Sequence, residues 1–124
     1  MVLCVTIIKI TQSYTEKAQS YTEQNSIVKM DIPQKYRQDI VSATNLLKNE
    51  GCRAVYLFGS LVTGKTRNNS DIDIGIKGLP QGKFFRLYSK LYFDFNHKID
   101  LVDFDQNEDF YLLLNNLGEV VQIG

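Results

Sequence analysis

The chain has no tryptophan, one histidine, two cysteines and two prolines in 124 residues, and it carries no net charge. Cys4 and Cys52 make no zinc spacing and no disulfide framework, which fits a reducing cytoplasm. Lysine plus arginine and aspartate plus glutamate both total 14, so the basic excess of a protein that grips nucleic acid is missing. There is no run of about 18 apolar residues, which excludes a membrane-spanning helix. The opening MVLCVTIIKI is shorter than that, is broken by Lys9, and lacks the small-residue cleavage site of a secretory signal. The single histidine, His97, precedes a strand-like segment and reads as a surface residue.

The remainder is an ordinary globular composition, 44% apolar and 23% charged, in a length that suits one domain with one core. Residues 1–29 differ from the rest. QSYTE occurs at 12–16 and again at 19–23, too few copies for a repeat architecture. This stretch is expected to be a poorly packed leader upstream of Met30, or else an extra element for oligomer contact. Residues 30–124 are expected to form the domain.

Periodicity divides that domain. Asp31 suits a helix cap and Pro33 a first turn. Tyr36, Ile40, Ala43 and Leu47 then form an apolar stripe at helical spacing, closed by Gly51. Ala54–Phe58 is an apolar run of strand length. Asp71–Ile76 alternates as a strand, and Gly78-Leu79-Pro80 breaks it. Phe84–Phe95 predicts a helix with Phe84, Leu87, Leu91 and Phe95 along one side, on which Tyr88 and Tyr92 read as packing residues. Lys98–Phe104 predicts a third strand, Asn107–Leu117 a helix stopped by Gly118, and Glu119–Ile123 a short strand. Helices and strands so ordered predict an α+β (α/β) fold.

Two motifs overlap in LFGSLVTGKTRNNSDIDIGIKG, residues 57–78. Gly59 to Thr66 satisfies the P-loop pattern G-x-x-x-x-G-K-[ST]. A P-loop needs a long helix beginning at its lysine and threonine, so that loop amides and the helix N-terminus close on the phosphates. Here Arg67-Asn68-Asn69-Ser70-Asp71 follows, a turn-forming run, and a strand begins by Ile72. No room is left for the helix.

The other motif is Gly59-Ser60, ten residues, then Asp71-Ile72-Asp73. Residues two apart in a strand share a face at about 6.5–7 Å, so the two aspartates point together and the isoleucines point into the core. Two like charges at about 7 Å repel by roughly 2.4 kcal/mol at an effective dielectric of 20, and a divalent cation reverses that sign. Alone, Asp-Ile-Asp also fits a wet edge strand. Asp100, inside the third strand, can complete a cluster of three oxygen donors, a set suited to Mg²⁺. Asp103 faces away from Asp100, and Asp105 lies where the strand ends.

Gly59-Ser60, Asp71-x-Asp73 and Asp100 together resemble the DNA polymerase β-type nucleotidyltransferase superfamily. With Phe58 before the glycine, Gly64 and Ser70, they are similar to its minimal nucleotidyltransferases (MNT), over about residues 31–124. The resemblance implies a small mixed sheet flanked by helices. It implies that Gly59 and Ser60 hold the triphosphate of ATP, with Ser60 starting a short helical turn, while Asp71, Asp73 and Asp100 hold two Mg²⁺ ions and Asp100 takes the proton of the incoming hydroxyl. It further implies an antitoxin, paired as a hetero-oligomer with a HEPN-type toxin and moving AMP onto a tyrosine of that toxin. Relatives often carry arginine soon after Gly-Ser; Leu61 and Thr63 stand there instead. Lys65 and Arg67 are the candidates for that positive charge, against a reading as solvated loop charges. Two alternatives stand beside the enzyme: a non-catalytic module that binds the toxin, and transfer to a small molecule such as an aminoglycoside. No stable binding of nucleic acid is expected, and the location expected is cytoplasmic.

Overall fold

Sixteen residues, Gln34–Asn49, form helix α1. Its spacing decides its orientation: Tyr36, Ile40, Ala43 and Leu47 recur every three or four positions and are all fully buried, while Lys35, Gln38 and Asn45 stay in solvent. Pro33 sits at the N-cap, one position before the first turn, where its missing N–H costs nothing. In this computed structural model residues 32–66 and 69–124 are described. The expectations for the leader, the doubled QSYTE, Asp31 and Cys4 fall outside them.

Strand β1 (Ala54–Phe58) follows, then a one-turn helix α2 (Ser60–Thr63), β2 (Ile72–Lys77), α3 (Phe84–Asp94), β3 (Ile99–Asp103), α4 (Glu108–Leu117) and β4 (Val120–Gln122). The strands make one mixed sheet in the order β3-β2-β1-β4. β1 pairs antiparallel with β2 and with β4, and β2 pairs parallel with β3 through the α3 crossover. The expected order of elements is therefore found, with ends differing by one or two residues, and the fold is α+β.

Each sheet face has its own core. Val55, Leu57, Ile72, Ile74, Ile76, Ile99 and Leu101 point to one side, against α1 and against Leu87 and Leu91 of α3. Ala54, Tyr56 and Phe58 point to the other, where Phe104, Tyr111 and Leu114 cover them. Burial of such side chains stabilises by roughly 1.5–3 kcal/mol each. On the second face the row Val102–Gly75–Tyr56 is roofed by Phe104. A Cβ on Gly75 would run into the Phe104 ring, so the glycine makes room for the aromatic.

Two side chains lie elsewhere than the sequence predicts. His97 is half-buried, because the Asp39 carboxylate on α1 is buried and needs donors, which His97 provides. Tyr92 is exposed and packs only edge-on to Phe93, whereas Tyr88 does pack, against Phe84 and the core. Among the described residues, no helix is long and apolar enough to cross a membrane.

Candidate active site

The site begins where β1 ends. Gly59 has φ 80° and ψ −150°, a conformation open almost only to glycine. Its carbonyl accepts the N–H groups of Val62 and Thr63 at 3.0 and 3.1 Å, which turns the chain into α2. Gly64, at φ 79°, ends that turn with its N–H on the Ser60 carbonyl at 2.9 Å. Helix thus stops before Lys65 and Thr66, and β2 starts at Ile72. The helix of a P-loop is absent and that reading falls.

Strand register assembles the rest. Asp73 is the Cα partner of Phe58 on one side and of Asp100 on the other. Directly paired residues share a sheet face, so Asp100, Asp73, Phe58 and then Val120 form one row across four strands. The row lies on the α4 side, and Asp71, just before β2 and two residues from Asp73, stands beside the row, more exposed. Gly59 sits over Asp73: a Cβ there would collide with the Asp73 carboxylate. The glycine is required twice, by its φ and by the acid below it.

This crowding marks Asp73 electrostatically. Burial, then the Asp100 and Asp71 carboxylates, push its pKa up to about 6 from 3.8, and Lys98 offsets them in part. Lys98 Nζ stands 3.5 Å from Asp71 Oδ2 and 3.8 Å from Asp100 Oδ1. Among the described residues, no three His, Cys, Asp or Glu side chains are gathered closely enough to hold an ion. Uncompensated carboxylates spread apart, and one ammonium lies between two of these. The donor set nonetheless suits a hard divalent cation: carboxylate oxygens only, on one face, where burial and neighbouring acids make the charge of Asp73 costly until a cation offsets it.

The other candidates are arranged differently. Lys65 is exposed in the loop after α2, its N–H on the Ser60 carbonyl at 3.1 Å. Arg67 lies outside the described residues. Asp103 and Asp105 serve the turn after β3, where Asp103 Oδ1 accepts the Asp105 N–H at 2.9 Å and Asp105 Oδ2 accepts the Gly78 N–H at 2.7 Å. Lys98 was missed by motif reasoning. Its position two residues before Asp100, hence on the same strand face, is the signal that points to it.

A family model described as "Polymerase beta, Nucleotidyltransferase" matches residues 38–121, the whole of the region just described. The chain belongs to the polymerase β nucleotidyltransferase family. Among curated protein sequences, none matches it. Among solved structures, it is similar to a chain of a toxin–antitoxin crystal structure with AMP-PNP, at 26% identity and TM-score 0.52, over 70% of this chain and 71% of that one. A chain of a mutant MntA-HpeT toxin–antitoxin matches at 23% identity and TM-score 0.50, over 70% and 71%. A structure of tri-AMPylated Shewanella oneidensis HEPN toxin in complex with MNT antitoxin matches at 21% identity and TM-score 0.45, over 85% and 71%.

For a nucleotidyltransferase the geometry has a chemical sense. A glycine-lined bend lets phosphates approach the backbone, and acids beside it can bind the cations that accompany a triphosphate.

Proposed function

We propose that this nucleotidyltransferase moves AMP from ATP to a hydroxyl, a tyrosine of a HEPN-type toxin, and so acts as its antitoxin. The observation that carries the reading is the row Asp100–Asp73–Phe58 running straight into Gly59-Ser60. The likeness to the toxin–antitoxin structure with AMP-PNP supports an adenine triphosphate donor and a toxin partner. The tyrosine rests on the sequence resemblance to MNT proteins.

Asp71, Asp73 and Asp100 would hold Mg²⁺, which when bound neutralises and aligns the triphosphate. Gly59 admits the phosphates to the backbone, and the Ser60 hydroxyl and N–H donate to their oxygens. Lys65, exposed in the loop beyond α2, and Arg67 are the candidates to add positive charge. Asp100 accepts the proton of the acceptor hydroxyl as its oxygen bonds to the α-phosphorus. The bond from that phosphorus to the bridging oxygen breaks, and pyrophosphate leaves.

The test is label transfer. The chain, its HEPN-type partner, Mg²⁺ and ATP labelled at the α-phosphate should yield labelled partner, with one AMP mass on a tyrosine peptide. Asp73→Asn should abolish it. A second reading, a module that silences the toxin by binding alone, draws on exposed apolar residues: Phe85 is 83% exposed, Phe93 77% and Leu117 58%. It prevails if no label transfers and an Asp71→Asn/Asp73→Asn double variant still neutralises the toxin.

A further inference from the structure

Lys98 is held in place from two sides. The residue before it, His97, is fixed by the buried Asp39 carboxylate, which accepts the His97 N–H at 3.0 Å and lies 2.9 Å from its Nδ1. The His97 ring also packs at a tilt against Tyr36, a fully buried residue of α1, with ring centroids 4.6 Å apart. On the other side the Lys98 carbonyl accepts the Ile72 N–H at 2.9 Å. Its backbone is therefore pinned between α1 and β2, while its side chain stays 54% exposed and free to swing. From that anchorage its ammonium faces two acids, Asp71 just before β2 at 3.5 Å and Asp100 on β3 at 3.8 Å.

We propose that Lys98 is the resident counter-ion of the acid row. Its ammonium holds the space between Asp71 and Asp100 when no metal is bound, competes there with a divalent cation, and moves to the phosphates of the nucleotide when both load. The inference rests on the proposed metal- and nucleotide-binding reading of the same acids. A dication and an ammonium within about 4 Å repel, so the ion cannot settle until the amine leaves. A triphosphate offers it another anion, and a lysine stem with its rotatable bonds can reach it. The consequence is an order of loading: ion and nucleotide enter together, and the ion alone binds weakly. An ordinary surface ion pair would have no such effect on metal binding.

The experiment titrates Mn²⁺ into folded wild-type protein, Lys98→Gln and Lys98→Arg, reading free ion by electron paramagnetic resonance, with and without AMP-PNP. Circular dichroism checks folding. Without nucleotide, Lys98→Gln should bind Mn²⁺ about fivefold tighter than wild type, the size expected for removing two half-exposed pairs, and Lys98→Arg should stay within roughly twofold. With AMP-PNP that gap should close or reverse. Equal or weaker Mn²⁺ binding by Lys98→Gln, Lys98→Arg behaving as Lys98→Gln does, or a gap unchanged by AMP-PNP each overturns the role of Lys98. Failure of all three folded proteins to bind Mn²⁺, even with AMP-PNP, overturns the metal reading itself, a separate result.

Discussion

Asp73 and Asp100 are direct partners across the parallel ladder of β2 and β3, one strand spacing apart on the same sheet face. A like-charge pair directly opposite destabilises a sheet, and aspartate is a poor strand residue. Replacing Asp100 by asparagine keeps the shape and removes the charge. Adenylyl transfer should fall by about 10²–10⁴, the range of a lost general base, while the melting temperature holds or rises. A variant as active as wild type would remove Asp100 from the chemistry.

The acid row also sets a pH dependence. The folded chain keeps the Asp73 proton up to about pH 6, the unfolded chain only to 3.8. The stability linked to that proton is fully present below about pH 3.8 and is lost as pH rises through about 6. In EDTA, Asp73→Asn should therefore melt above wild type at pH 7.5, with the difference shrinking at pH 4. Mn²⁺ should reverse the order at pH 7.5 by stabilising the wild type alone. Thermal scans at the two pH values, with and without the ion, decide it.

Gly59 and Gly64 share a positive φ, 80° and 79°, but not the same surroundings. A Cβ at Gly59 meets the Asp73 carboxylate, and one at Gly64 meets nothing within 4 Å. Gly59→Ala should cost about 1–3 kcal/mol and all transfer activity. Gly64→Asn, a residue that tolerates the left-handed region, should cost less than about 1 kcal/mol. Urea denaturation of both variants separates the two positions. Equal losses would mean that φ alone matters.

Phe104 roofs the second sheet face, with its ring 5.7 Å from Tyr56, 5.6 Å from Phe58 and 5.2 Å from Tyr111. It is fully buried, and it is the residue that Gly75 makes way for. Phe104→Ala should destabilise by about 3–5 kcal/mol. Because Phe58 leads directly into Gly59, the same change should also raise KM for ATP more than the stability loss explains at a temperature where the variant is folded. Denaturation and kinetics at one temperature check both parts.

The sequence by itself determined the elements and the two-sided character of the strands. The stripe from Tyr36 to Leu47 and the alternation of Ile72, Ile74 and Ile76 with Asp71 and Asp73 are local periodicities, and burial follows period whatever the neighbours are. Turn-forming Asn69 and Ser70 before Ile72 were enough to dismiss a P-loop helix. Only the tertiary structure decided who stands beside whom. That Asp73 meets Asp100 depends on β3 returning parallel to β2 in one register, set by how α3 packs across the sheet; a slip of one residue would send Asp100 into the core. The clamp of Asp39 on His97 joins residues 58 positions apart, and no local pattern encodes it. Lys98 drew no functional reading from the sequence because a charge acquires a role only from the charges around it, and those come from the residue before β2 and from β3, brought together by folding.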